Sequence, residues 1–150
     1  MPRSRSWAEE TGSAALEFVT LGLVLLVPLV YLVLTMAAIQ GGSLAAEGAA
    51  RQAARVFVES PTPERAQAAA LRALEIALAD HGIDPGGADI AVNCSPRPDA
   101  CLTRRGLVTV TVDLTVPLPL VPAALTGDFP LAVPLSATAT QQVSRFWTGG

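Results

Sequence analysis

The sequence predicts an α+β chain: a long N-terminal transmembrane α-helix, a second Ala/Leu-rich helix, then a small antiparallel three-stranded sheet. Three observations carry that prediction. Phe18 to Ile39 is 22 residues without a charge, and about 20 apolar residues span the ~30 Å of bilayer hydrocarbon as a helix. Pro63 to His81 is rich in Ala and Leu, with Leu71, Leu74 and Leu78 at helical spacing. After Gly86-Gly87 the apolar period switches to two, the period of a half-buried strand.

Residues 1–12 read as a short polar leader with Arg3 and Arg5 and no apolar periodicity. A secretory signal peptide has an apolar region of 7–15 residues; the uncharged run here is longer, and its nearest small-residue cleavage pattern, Thr35-Met36-Ala37, is weak. The run is therefore read as retained in the membrane. Residues 13–58 form the transmembrane and extended N-terminal helix, and 62–150 the domain beyond it. Within the apolar run Pro28 is expected to bend or loosen the helix, because it lacks the N–H that would bond four residues back.

Past the run, Glu47, Arg51, Arg55 and Glu59 recur every four residues as one polar stripe, with i,i+4 pairs at Glu47–Arg51 and Arg55–Glu59. Gly42, Ala46, Ala50 and Ala54 form a second ladder. Small residues at that spacing let backbones approach closely, or simply make an alanine-rich amphipathic helix. Ser60-Pro61-Thr62-Pro63 interrupts the helix; Thr62 reads as the N-cap of the next one, with Pro63 at its first position and Glu64 in its first turn. Gly82 ends it, and His81, the one histidine, sits at that C-terminus as a capping residue.

Three strands follow. Ile90, Val92 and Cys94 alternate with polar or small residues; Val108, Val110, Val112, Leu114 and Val116 alternate with Thr109, Thr111, Asp113 and Thr115. In the third, Leu131, Val133, Leu135, Ala137 and Ala139 share a face, and Pro134 argues for an edge strand or a bulge. The stretch 117–127 is an unusually apolar connection, read either as a cover for the sheet or as a surface for a partner or the bilayer. Cys94 and Cys101 flank a turn-rich segment, Ser95-Pro96-Arg97-Pro98-Asp99-Ala100. In an exported domain a disulfide there is the natural reading; free thiols or half a metal site are the alternatives, the latter poor with no CxxC and a single His.

Composition excludes several classes. The net charge is −3 with no basic run, so nucleic acid finds no electrostatic footprint. Aromatic residues are 5%, too few for the large side chains that line small-molecule pockets. No phosphate loop, nucleophile elbow or zinc-ligand spacing is present, and with one His and one Tyr the acid–base groups are nearly missing. No catalytic residue, metal ligand or cofactor is assigned; Glu9-Glu10, Asp84 and Asp89 read as solvated. All ten basic residues are Arg, which reads as base-composition bias.

Gly12-Ser13-Ala14-Ala15-Leu16-Glu17-Phe18 places one carboxylate just inside the apolar run, five residues after a glycine. A carboxylate in hydrocarbon costs about 2.5–3.5 kcal/mol at a helix centre and less near its ends, so a passive anchor would gain by losing it. This spacing and the run that follows resemble the prepilin signal of type IV pilins, and the wording is most similar to the TadE-like pseudopilins of tight-adherence (Tad) pilus systems. Pro28 lies farther from Glu17 than in many TadE-like segments, a spacing closer to type IV pilins. The resemblance covers roughly residues 12–58. It implies cleavage by a membrane-embedded prepilin peptidase between Gly12 and Ser13, an N-terminus in the cytoplasm and an extracytoplasmic domain. It also implies assembly through the N-terminal helix with other Tad pilins and an inner-membrane platform, where Glu17 pairs with a neighbour's new amine. The expectation is a structural pseudopilin or minor pilin, in the cytoplasmic membrane and incorporated into a surface pilus. A membrane-tethered binding or adaptor domain is the alternative.

Overall fold

The computed structural model describes residues 7–121 and 131–148, with side chains from residue 14 onward. Two helices precede three strands: α1 (Trp7–Glu59), α2 (Pro63–Asp80), β1 (Ala88–Ser95), β2 (Leu107–Pro117) and β3 (Ala132–Gln142), with a 3₁₀ turn at Pro85–Gly87 ahead of β1. The α+β architecture is as expected. The chain divides into two compact units whose boundary falls inside α1, between Ala37 and Ala38.

In the first unit α1 begins at Trp7, ahead of the expected start at Ser13, and runs through Gly12. Trp7-Ala8-Glu9-Glu10 explains the early start: carboxylates in a first helical turn oppose the macrodipole, and one interior glycine costs only about 1 kcal/mol. The helix continues through Pro28. From Leu16 to Met36 its large apolar side chains are exposed, Leu34 least and Phe18 most, and α1 is long and apolar enough to cross a membrane.

The second unit is built on one alanine-faced helix. Ala45, Ala46, Ala49, Ala50, Ala53 and Ala54 are all buried, and Phe57 completes the row. They share a core with Ala66, Ala70, Leu74 and Leu78 of α2 and with Val108, Val110, Val112, Leu114 and Val116 of β2. The expected Gly42–Ala46–Ala50–Ala54 ladder is thus half of a wider stripe that packs on the chain's own core. Both ion pairs of the polar stripe form, Arg51 to Glu47 at 2.6 Å and Arg55 to Glu59 at 3.2 Å, and both are exposed, so each stabilises the helix by only about 0.3–0.5 kcal/mol.

Thr62 caps α2, its hydroxyl accepting from the Arg65 N–H at 3.4 Å, with Pro63 in the first turn. The Glu64 carboxyl is held below its ordinary range by its own backbone hydrogen bond and then by the Thr62 hydroxyl. At the other end Ile83 N–H donates to Leu78 O and Gly82 N–H to Ala79 O, with Gly82 at φ 67°; this 6→1 and 5→2 pair is a Schellman closure, which needs a left-handed residue. The expected Leu71–Leu74–Leu78 face is corrected at one position: Leu71 is exposed, and alanines 66, 70 and 73 complete the buried face.

The sheet is an antiparallel meander, β1-β2-β3, with β2 central. The β2 alternation is as read: Val108, Val110 and Val112 are fully buried, and their neighbours face outward. Pro134 falls on an edge strand, opposite Thr115, where its missing N–H removes no ladder bond. Leu131 is corrected: it precedes β3 and is exposed. On the outer face Thr109 pairs with Thr140 at 2.9 Å and Thr111 with Thr138 at 3.2 Å.

Candidate functional site

The residues singled out from sequence separate into two places. Gly12, Ser13, Glu17 and Pro28 all lie on α1; the Ser13 side chain is outside the described part. Ser13 and Glu17 are i,i+4 neighbours, so the helix sets them on one face a turn apart. Glu17 is exposed and lines a shallow apolar groove with Leu16, Thr20, Leu21 and Val24. From Ala14 to Ala46 it is the only charged residue. Pro28 leaves the Val24 carbonyl without its helical donor.

Cys94 and Cys101 are brought together. They form a disulfide with Cα atoms 5.0 Å apart, within the range a bridge requires. Cys94 lies opposite Val108, one residue before the β1 ladder ends at Ser95, and Leu102, next to Cys101, is buried. His81 is the C-cap of α2. Asp84 accepts from Gly86 N–H at 2.9 Å and so fixes the turn before β1.

Asp89 sits directly opposite Asp113 across the β1–β2 ladder. Both are exposed, beside a surface cleft also lined by Gly87, Thr115 and Ser136. Like charges in that position oppose pairing. Among the described residues no group of three or more His, Cys, Asp or Glu side chains is placed to hold a metal ion. Of the apolar connection 117–127, Leu118 N–H donates to Leu131 O at 3.0 Å and Leu120 is exposed; residues 122–130 lie outside the described part.

No family model, curated protein or solved structure matches the chain.

Sequence reasoning missed the C-terminal tail. Trp147 Nε1–H donates to Ser60 O at 3.2 Å, Arg104 Nε–H donates to Trp147 O at 2.8 Å, and Val143, which is buried, exchanges backbone bonds with Arg105 and Gly106. The tail thereby ties the β1–β2 loop to the corner between α1 and α2. Its apolar residues follow no period, and the aromatic pair Phe146-Trp147 is the one sequence signal for a half-buried anchor there.

Proposed function

We propose that the chain is a structural subunit of a Tad-type, type IV pilus-like assembly, a pseudopilin or minor pilin. Prepilin peptidase would cleave it after Gly12, and it would assemble through α1 with other pilins and the inner-membrane platform. One observation carries the reading: Glu17 is the only charged residue from Ala14 to Ala46, at the start of an exposed apolar segment of membrane length and five residues past a glycine. Cleavage creates an amine at Ser13, one helical turn from that carboxylate. In an assembled bundle the Glu17 of one subunit and the Ser13 amine of the next pair inside a low-dielectric environment, where either charge alone is strongly penalised.

The second unit supports the same reading by subtraction. The small-residue stripe of α1 from Gly42 to Ala54 faces its own core, which leaves the exposed segment Leu16–Met36 as the helix surface for other subunits. The domain from 62 onward, with its disulfide, suits an extracytoplasmic location, the N-terminus then lying in the cytoplasm.

The test is Glu17→Ala. The variant keeps Gly12 and has a more apolar span, so insertion and cleavage proceed. Assembly fails, because leaving a buried charge unpaired costs about 3–5 kcal/mol. Cleavage, membrane level and surface piliation, compared with the native chain, read the three steps separately; a variant that assembles normally makes Glu17 a bystander and leaves a simple tether.

A further inference from the structure

The second unit is electrically polar along its strands. At the hairpin end, where Ser95, Leu107 and Gln142 lie in register, Arg97, Arg104, Arg105 and Arg145 are exposed against the one carboxylate of Asp99. The other charges there cancel: Arg55 is paired with Glu59, and Glu64 adjoins Arg65. At the opposite end Asp80, Asp84, Asp89 and Asp113 are exposed, Asp80 and Asp84 at the α2-to-β1 connection and Asp89 beside Asp113 in the ladder. The nearest basic side chain on α1, Arg51, is engaged by Glu47. Asp113 lies six residues along β2 from Leu107, so about 20 Å separate the Asp89/Asp113 pair from the hairpin end at ~3.3 Å per residue. That exceeds the ~8–10 Å Debye length of physiological salt, so neither end masks the other.

Each end also carries exposed apolar surface. Phe146 is exposed with the Arg145 guanidinium 4.5 Å above its ring. Leu120 and Leu131 are exposed where β2 ends and β3 begins. We propose that these two ends are the halves of one interface, and that the basic, Phe146-bearing end docks on the Asp89/Asp113 end of a second copy of this chain. Charge complementarity selects the occupant. An isologous contact through one end alone would set arginines on arginines or aspartates on aspartates; opposite signs meet where one end faces the other end of its neighbour, head to tail or antiparallel side by side. The head-to-tail form propagates wherever its rotation does not close, which is the geometry of a filament. The inference builds on the assembling-subunit reading and adds the surface by which the domains outside the membrane contact one another.

The test uses the full, uncleaved chain in detergent micelles, so that failure of processing at Gly12 does not touch it. Two variants reverse one end each: Arg97→Glu with Arg145→Glu, and Asp80→Arg with Asp89→Arg and Asp113→Arg. None of these side chains is buried, and an intact disulfide with cooperative thermal unfolding confirms the fold of each variant. Self-association is measured by sedimentation velocity at low and high salt, any association through α1 being a salt-independent background common to all samples. The native chain shows a salt-sensitive association, and each variant alone loses it by at least ~10-fold, a difference of about 1.4 kcal/mol. An equal mixture of the two variants recovers it, because every junction is complementary again. A native chain with no salt-sensitive association, a variant that self-associates like the native chain, or a mixture no better than its components overturns the proposal.

Discussion

A β-carbon on Gly42 would collide with Cγ2 of Val116 and lie 2.9 Å from Cδ1 of Leu135, whereas one on the adjacent Gly41 would meet no atom within 4 Å. Helix α1 and the sheet approach so closely at this point that only a glycine fits between them.

Identical substitutions at these neighbours therefore have opposite signs. Gly41→Ala gains helix propensity, up to about 1 kcal/mol, with no steric cost. Gly42→Ala gains the same propensity but overpacks the contact with Val116, a change that costs about 1–3 kcal/mol. Thermal unfolding of both variants in detergent checks this: the midpoint rises for Gly41→Ala and falls for Gly42→Ala. A rise in both would mean that the helix does not sit on Val116.

Asp89 and Asp113 repel across the ladder, and among the described residues neither is in an ion pair. Asp113→Asn removes the repulsion and keeps the shape, so the protein gains about 0.2–1 kcal/mol. The gain shrinks as salt is added, since both groups are exposed. A variant less stable than the parent at low salt would show that Asp113 has an attractive partner.

Much of this architecture is legible in the chain, for identifiable reasons. The β2 alternation, the Thr62–Pro63 start and the Gly82 stop are local signals set by backbone geometry. The alanine stripe was visible, but not what it faces, because the same spacing serves helix–helix and helix–sheet contacts. Leu71 reads as core in the sequence because alanines 66, 70 and 73, which define the buried face of α2, carry a weaker hydrophobic signal than the leucine beside them. The Asp89–Asp113 opposition needs the strand register, and the Trp147–Ser60 bond joins residues that are far apart in sequence. Of the candidate site, the lone Glu17 and the cysteine pair are legible in the sequence; the charge polarity of the domain is not, because it depends on the strand register that brings the arginines to one end.

The Cys94–Cys101 bridge closes a short loop, for which the chain-entropy model gives about 2–3 kcal/mol of stabilisation. Replacing both cysteines with Ser lowers the thermal midpoint, and reductant reproduces that loss in the parent. Protein recovered from membranes shows no alkylated cysteine before reduction and two after it. Two alkylated cysteines without reduction would contradict both the bridge and an extracytoplasmic location.

The central claim is that Gly12 and Glu17 mark a processed, assembling subunit, and the intact mass of the protein from membranes of its native host tests it most directly. The account predicts a chain that begins at Ser13, with Glu17 as its fifth residue. A chain that begins at Met1 or Pro2, in cells whose prepilin peptidase is active, would contradict it.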